Sequence, residues 1–132
     1  MPRRIACACG YVAPWLMLGA LAGGAFAQSS SFYAGRTVSI LVGATAGGYY
    51  DAAARVVARQ LGRYIPGNPA IVVQDQPGAG GLATGNRLGT TVERDGRTIL
   101  AMNRSVPQLA LAGDPNAAFD PRQLTWLGSL SS

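Results

Sequence analysis

The stretch Thr37-Val38-Ser39-Ile40-Leu41-Val42, followed at once by Gly43-Ala44-Thr45-Ala46-Gly47-Gly48 and then by Asp51-Ala52-Ala53-Ala54-Arg55, constrains this chain more than any other. The first run is apolar, rich in β-branched residues and short, which reads as a buried strand. Gly43, Gly47 and Gly48 let the backbone turn sharply, and the alanines after Asp51 are strong helix formers. The result is strand, glycine-rich loop, helix. Such a loop points backbone N–H groups at the space above the strand's carboxyl end, and the helix adds its own unpaired amides with partial positive charge. It is a place for an anion, although a Gly-rich strand-to-helix turn is also simply how an α/β fold changes direction. The dinucleotide pattern G-x-G-x-x-G is absent, and Tyr49 stands where a phosphate loop needs Lys, so neither nucleotide motif is met.

The pattern recurs. Pro66-Gly67-Asn68-Pro69 breaks the first helix, expected over Asp51 to Tyr64, and Ala70-Ile71-Val72-Val73-Gln74 reads as a second strand. Pro77-Gly78-Ala79-Gly80-Gly81 then leads into a helix from Leu82 to about Leu88. A turn at Arg94-Asp95-Gly96 precedes a third strand, Thr98 to Met102, whose exit is Asn103-Arg104-Ser105. A short helix is expected over Pro107 to Leu111, and a last apolar run spans Leu124 to Leu130. Strand, helix and strand in alternation imply parallel pairing. The fold class is α/β, a parallel sheet with flanking helices and strand order 2-1-3, with at least one long unpaired edge. In the first helix Ala53, Val57, Leu61 and Tyr64 share the expected apolar face, and Arg55, Arg59 and Arg63 form a stripe read as a solvated face. Asp51 reads as a helix-start residue, since no second carboxylate lies near it in sequence.

Composition removes whole classes of chemistry. With 132 residues, 48% hydrophobic and 13% charged, the chain is globular in composition and has room for one domain at most. All eleven basic residues are Arg; without Lys or His there is no lysine Schiff base, histidine base or histidine metal ligand. An enzyme reading is weak for the same reason, because Ser105 or Ser129 has no His to activate it. Residues 1–27 have the parts of a secretory signal: Arg3-Arg4, an apolar stretch, and Ala25-Phe26-Ala27 before Gln28. Cleavage is expected after Ala27, with an uncleaved membrane anchor as the alternative. Without Arg3 and Arg4, nine Arg face six acidic residues, +3, too mild for nucleic-acid binding. The mature chain would hold no cysteine, since Cys7 and Cys9 lie in the signal.

These segments in this order resemble the extracytoplasmic solute receptors of the tripartite tricarboxylate transporters, the Bug-type binding proteins. The matching pieces are the signal, Phe32-Tyr33 with Gly35-Arg36, Gly47-Gly48 with Asp51 and Ala54-Arg55, Pro77-Gly78-Ala79-Gly80-Gly81, Asp95-Gly96, and Phe119-Asp120-Pro121. The resemblance implies a periplasmic, non-enzymatic binding protein of two α/β lobes that closes on a small carboxylate and delivers it to a membrane permease, with no cofactor and no nucleic acid. The first loop departs from the family's pattern at Gly43-Ala44-Thr45-Ala46 and at Tyr49-Tyr50. Against the family's length, residues 28–123 are expected to be an incomplete first lobe and 124–132 the start of the crossover to a second; a truncated remnant without independent activity is the alternative. The expected ligand-binding residues are Ala46, Gly47, Gly48, Tyr49, Tyr50 and Asp51 in loop one, Gly78, Ala79, Gly80 and Gly81 in loop two, and Ser105 after the third strand. Tyr49 and Tyr50 either add stacking surface or pack beneath the loop.

Overall fold

The computed structural model describes residues 32–129. The signal expected at 1–27 and Leu130 of the last apolar run lie outside the described residues. Three strands, β1 (Thr37–Val42), β2 (Ala70–Asp75) and β3 (Thr98–Ala101), form a parallel sheet in the order β2-β1-β3, as the alternation of elements predicts. The register pairs Ile40 of β1 with Val73 on one side and Ile99 on the other.

β1 is central because it alone is apolar enough to be covered on both faces. Val38, Ile40, Leu41 and Val42 are each no more than 3% exposed. At about 1.5–3 kcal/mol for each large side chain removed from water, this one strand contributes more burial than any other element. The helix α1 (Tyr49–Leu61) covers one face, where Ala54 joins Ile40 and Val42, with Val57, Leu61, Ile71 and Val73 packed around them. From β2 the chain crosses β1 to reach β3, and right-handed crossovers in opposite directions put their helices on opposite faces. The second face is accordingly held by α2 (Leu82–Thr90) and α3 (Ser105–Leu111), whose Leu82 and Val106 form a separate cluster with Phe119. α2 carries Gly85 and Gly89 where it meets Phe119; a Cβ at Gly89 would lie 2.4 Å from that of Phe119. β2 is left open on this side, with Val72 43% exposed.

Three helix boundaries differ from the sequence reading, and β2 and β3 each end one residue away from it. α1 begins at Tyr49 rather than Asp51, because Gly48 is the residue in extended conformation, which makes Asp51 the third helical residue. The helix ends at Leu61 and continues as a 3-10 turn, Gly62–Tyr64, which departs from the 3.6-residue period and turns Tyr64 off the apolar face to 81% exposure. Gly62 lies so close to β2's entry that a Cβ there would be 2.9 Å from the Pro69 carbonyl oxygen. α3 starts at Ser105, not Pro107, since Asn103 accepts from the Ser105 amide through its side chain, at 3.1 Å, and from the Val106 amide through its carbonyl. The described part of the last apolar run, 124–129, forms no helix or strand; Trp126 Nε1 donates to the Pro121 carbonyl at 3.1 Å, and Leu127 is exposed. No described helix is long and apolar enough to cross a membrane.

Candidate ligand site at the strand carboxyl ends

The two glycine-rich loops meet over the end of β1. Pairing continues past the strand on both sides, with the Gly43 amide donating to Ala101 O at 3.0 Å and the Gln76 amide donating to Val42 O at 2.8 Å. Loop two then runs across β1's end, where Gly81 packs on Gly43: a Cβ at Gly43 would sit 3.0 Å from Gly81 Cα. Only a residue without a side chain permits that approach from either partner. A Cβ at Gly81 would also lie 3.4 Å from Val106 Cγ2, so the exits of all three strands gather at one point, with half-buried Ser105 one residue away from it.

Within loop one, Ala46, Gly47 and Gly48 are exposed, but two of their amides are used internally. Gly47 donates to Asp51 Oδ2 at 2.7 Å and Gly48 to Thr45 O at 3.2 Å. The amides of Tyr49 and Tyr50 begin α1 and have no acceptor within the helix. Tyr50 packs against the Ile40 and Val42 cluster, whereas Tyr49 is 64% exposed and meets it edge to face, with ring centroids 5.5 Å apart. Of the two roles expected for the pair, each tyrosine has the surroundings for one: Tyr50 packs beneath, and Tyr49 offers a ring to solvent.

Loop two is a left-handed turn. Ala79, Gly80 and Gly81 have φ of 46°, 63° and 98°, and the Gly81 amide closes the turn on Gly78 O at 2.8 Å. Gly78, Ala79 and Gly80 are exposed and Gly81 is buried. A side chain at Gly80 would meet nothing within 4 Å, so its left-handed angle is the constraint there; Gly48, by contrast, has an ordinary φ of −79° and only the Thr45 carbonyl, 3.2 Å from a Cβ, to limit it. Thr84 in the first turn of α2 donates from its buried hydroxyl to Gln76 O at 2.8 Å and so fixes the start of the loop.

Asp51 is more than a helix-start residue. It is 4% exposed, and Arg55 Nε lies 2.5 Å from its Oδ1. Oδ1 is closed off from solvent, and the guanidinium is the cation beside it. Arg55 Nη2 reaches on to Asp75 Oδ2, at 3.0 Å, on the last residue of β2. The Gly47 amide holds the Asp51 carboxyl below the usual carboxylate range, burial opposes it, and Arg55 adds to the lowering. Arg55 stays on the solvated stripe with Arg59, exposed as expected, but its head group is engaged by both carboxylates, while Arg63 donates to Gln60. Sequence reasoning missed Asp75, which is remote from Asp51 along the chain. The βαβ connection held the signal, because it lays the first turns of α1 beside the carboxyl end of the next strand.

Chemically, the site offers backbone amides and a helix terminus without full positive charge, which suits a carboxylate. Among the described residues, no group of three Cys, Asp or Glu stands close enough to hold a metal. A concavity of about 470 Å³ lies elsewhere, against Leu111, Phe119 and Leu124 on the α3 side, and has none of these donors. No protein-family model matches the chain, and no curated protein sequence matches it.

Proposed function

We propose that this chain is a lobe of an extracytoplasmic solute receptor of the tripartite tricarboxylate type, which holds a small carboxylate in the periplasm and passes it to a membrane permease, without catalysing a reaction. The observation that carries the reading is the contact of Gly43 with Gly81, which brings two glycine-rich loops together over the central strand of a parallel sheet. Open α/β sheets bind their ligands outside the carboxyl ends of their strands. A carboxylate there would be held by amides at the start of α1 and by those of Ala79 and Gly80 in loop two, since the Gly81 and Leu82 amides close the turn on Gly78 and Ala79, with Tyr49 alongside. Donors of this kind bind an anion and still release it, as a delivery protein must. The family resemblance of the quoted motifs supports the same reading.

Calorimetric titration of the chain with a panel of di- and tricarboxylates tests it. Saturable binding of at least one acid, abolished in Gly80→Val, is expected. The absence of binding across the panel, or unchanged affinity in that variant, would place the function elsewhere.

A further inference from the structure

Arg55 touches both halves of the loop region. Its Nε faces Asp51 Oδ1 at 2.5 Å and its Nη2 faces Asp75 Oδ2 at 3.0 Å. Asp51 in turn accepts from the Gly47 amide in loop one, and Asp75 is the residue from which β2 passes into loop two. Oδ1 of each carboxylate is closed off from solvent, and the guanidinium is the cation that both share, adding for Asp51 to the stronger hold of the Gly47 amide. The planar fork of Arg presents two edges at a fixed spacing; an ammonium, as a single point charge, does not reproduce that span.

We propose that Arg55 is a positioning residue that couples the two loops: by holding Asp51 against Asp75 it fixes the direction of the Gly47 amide and the departure of loop two from β2 together. The consequence for carboxylate binding rests on the receptor reading above; the coupling itself does not. Weakening either ion pair releases both loops, since each carboxylate loses the partner that orients it. Asp75 has no described contact with Gly47 itself; it reaches Asp51 directly as well as through Arg55, so the double variant is what separates the two routes.

The experiment is amide hydrogen exchange and chemical shift, followed by NMR on the full chain labelled with 15N-glycine, in wild type, Arg55→Gln, Asp75→Asn and the double variant. Arg55→Gln is expected to speed exchange at Gly47 by about tenfold, the scale of losing one charge-assisted hydrogen bond, and to shift Gly80 and Gly81 while Gly43 stays protected. Asp75→Asn, the milder change, is expected to speed Gly47 in the same direction, and Arg55→Lys, which keeps the charge but not the fork, takes the place of Arg55→Gln in the double variant if the latter fails to fold. In the double variant it should add nothing. Gly47 exchange unchanged by Asp75→Asn, or altered by it equally when Arg55 is already Gln, would overturn the proposal. Titration of the same samples with citrate and succinate separates the two readings. If wild type binds neither acid while Gly47 responds to Asp75→Asn only with Arg55 in place, the coupling stands and the receptor reading loses support; if wild type binds and Gly47 is indifferent, the coupling alone falls.

Discussion

A Cβ on Gly81 would lie 2.9 Å from the carbonyl oxygen of Gly43, closer than side-chain carbons approach a backbone. This contact is where loop two crosses the central strand, and it decides which glycines of the two loops are replaceable.

Gly81→Ala combines that clash with a left-handed φ of 98°, whereas Gly47→Ala meets nothing within 4 Å and has only its φ of 80° to oppose it. The angle costs about 1–2 kcal/mol and overpacking about 1–3 kcal/mol more. Urea unfolding should therefore show Gly81→Ala destabilised by roughly 2–5 kcal/mol and Gly47→Ala by about 1–2 kcal/mol. Equal losses would mean that the loops do not touch as described.

Ala79 sits at φ 46°, a left-handed angle that an alanine adopts only under strain. Replacing it by glycine relieves about 1–2 kcal/mol in the folded chain and costs about 0.4–1 kcal/mol in unfolded-state freedom. Ala79→Gly is thus expected to be at least as stable as wild type, while Ala53→Gly inside α1 loses about 0.5–1 kcal/mol. A midpoint for Ala79→Gly that drops as far as that of Ala53→Gly would contradict the left-handed turn.

Three carboxyls fall below their ordinary value of 3.8: Asp51 chiefly through the Gly47 amide, Asp95 through the Arg97 amide and then its side chain, and Asp120 through the Arg122 side chain and then its amide. A depressed folded-state value means that the unfolded chain takes up protons first as the pH falls. The stability these groups supply is whole above 3.8 and is lost below it, as the pH passes through the folded-state values. The urea midpoint should be flat above that value and fall steeply below it, with a shallower fall in Asp51→Asn. A midpoint that rises on acidification would reverse the sign of the argument.

The strands were legible because β1 concentrates apolar β-branched residues between turn formers, and because alternation with helices leaves few ways to order three parallel strands. Their bounds agree with the sequence reading to within one residue at Asp75 and Ala101. The helix ends were less legible. Tyr49 and Tyr50 carry no start signal, and the side chain that organises the N-terminus, Asp51, reaches back from the third helical position to the Gly47 amide. Tyr64 fits the apolar stripe in sequence but leaves it where the helix tightens at Gly62. At the loops, glycine content marked where the chain turns; the pairing of Asp51 and Asp75 through Arg55 depends on how α1 lies along β2, which periodicity does not encode.

The two loops together are proposed to form one carboxylate site. This is tested most directly by titrating the 15N-glycine-labelled chain with citrate, succinate and related acids and following each glycine separately. One acid is expected to move Gly47 and Gly48 together with Gly80 and Gly81, with a shared binding constant, and to leave Gly35, Gly96 and Gly113 in place. Shifts confined to one loop, or centred instead on Gly89 beside the Phe119 concavity, would contradict it.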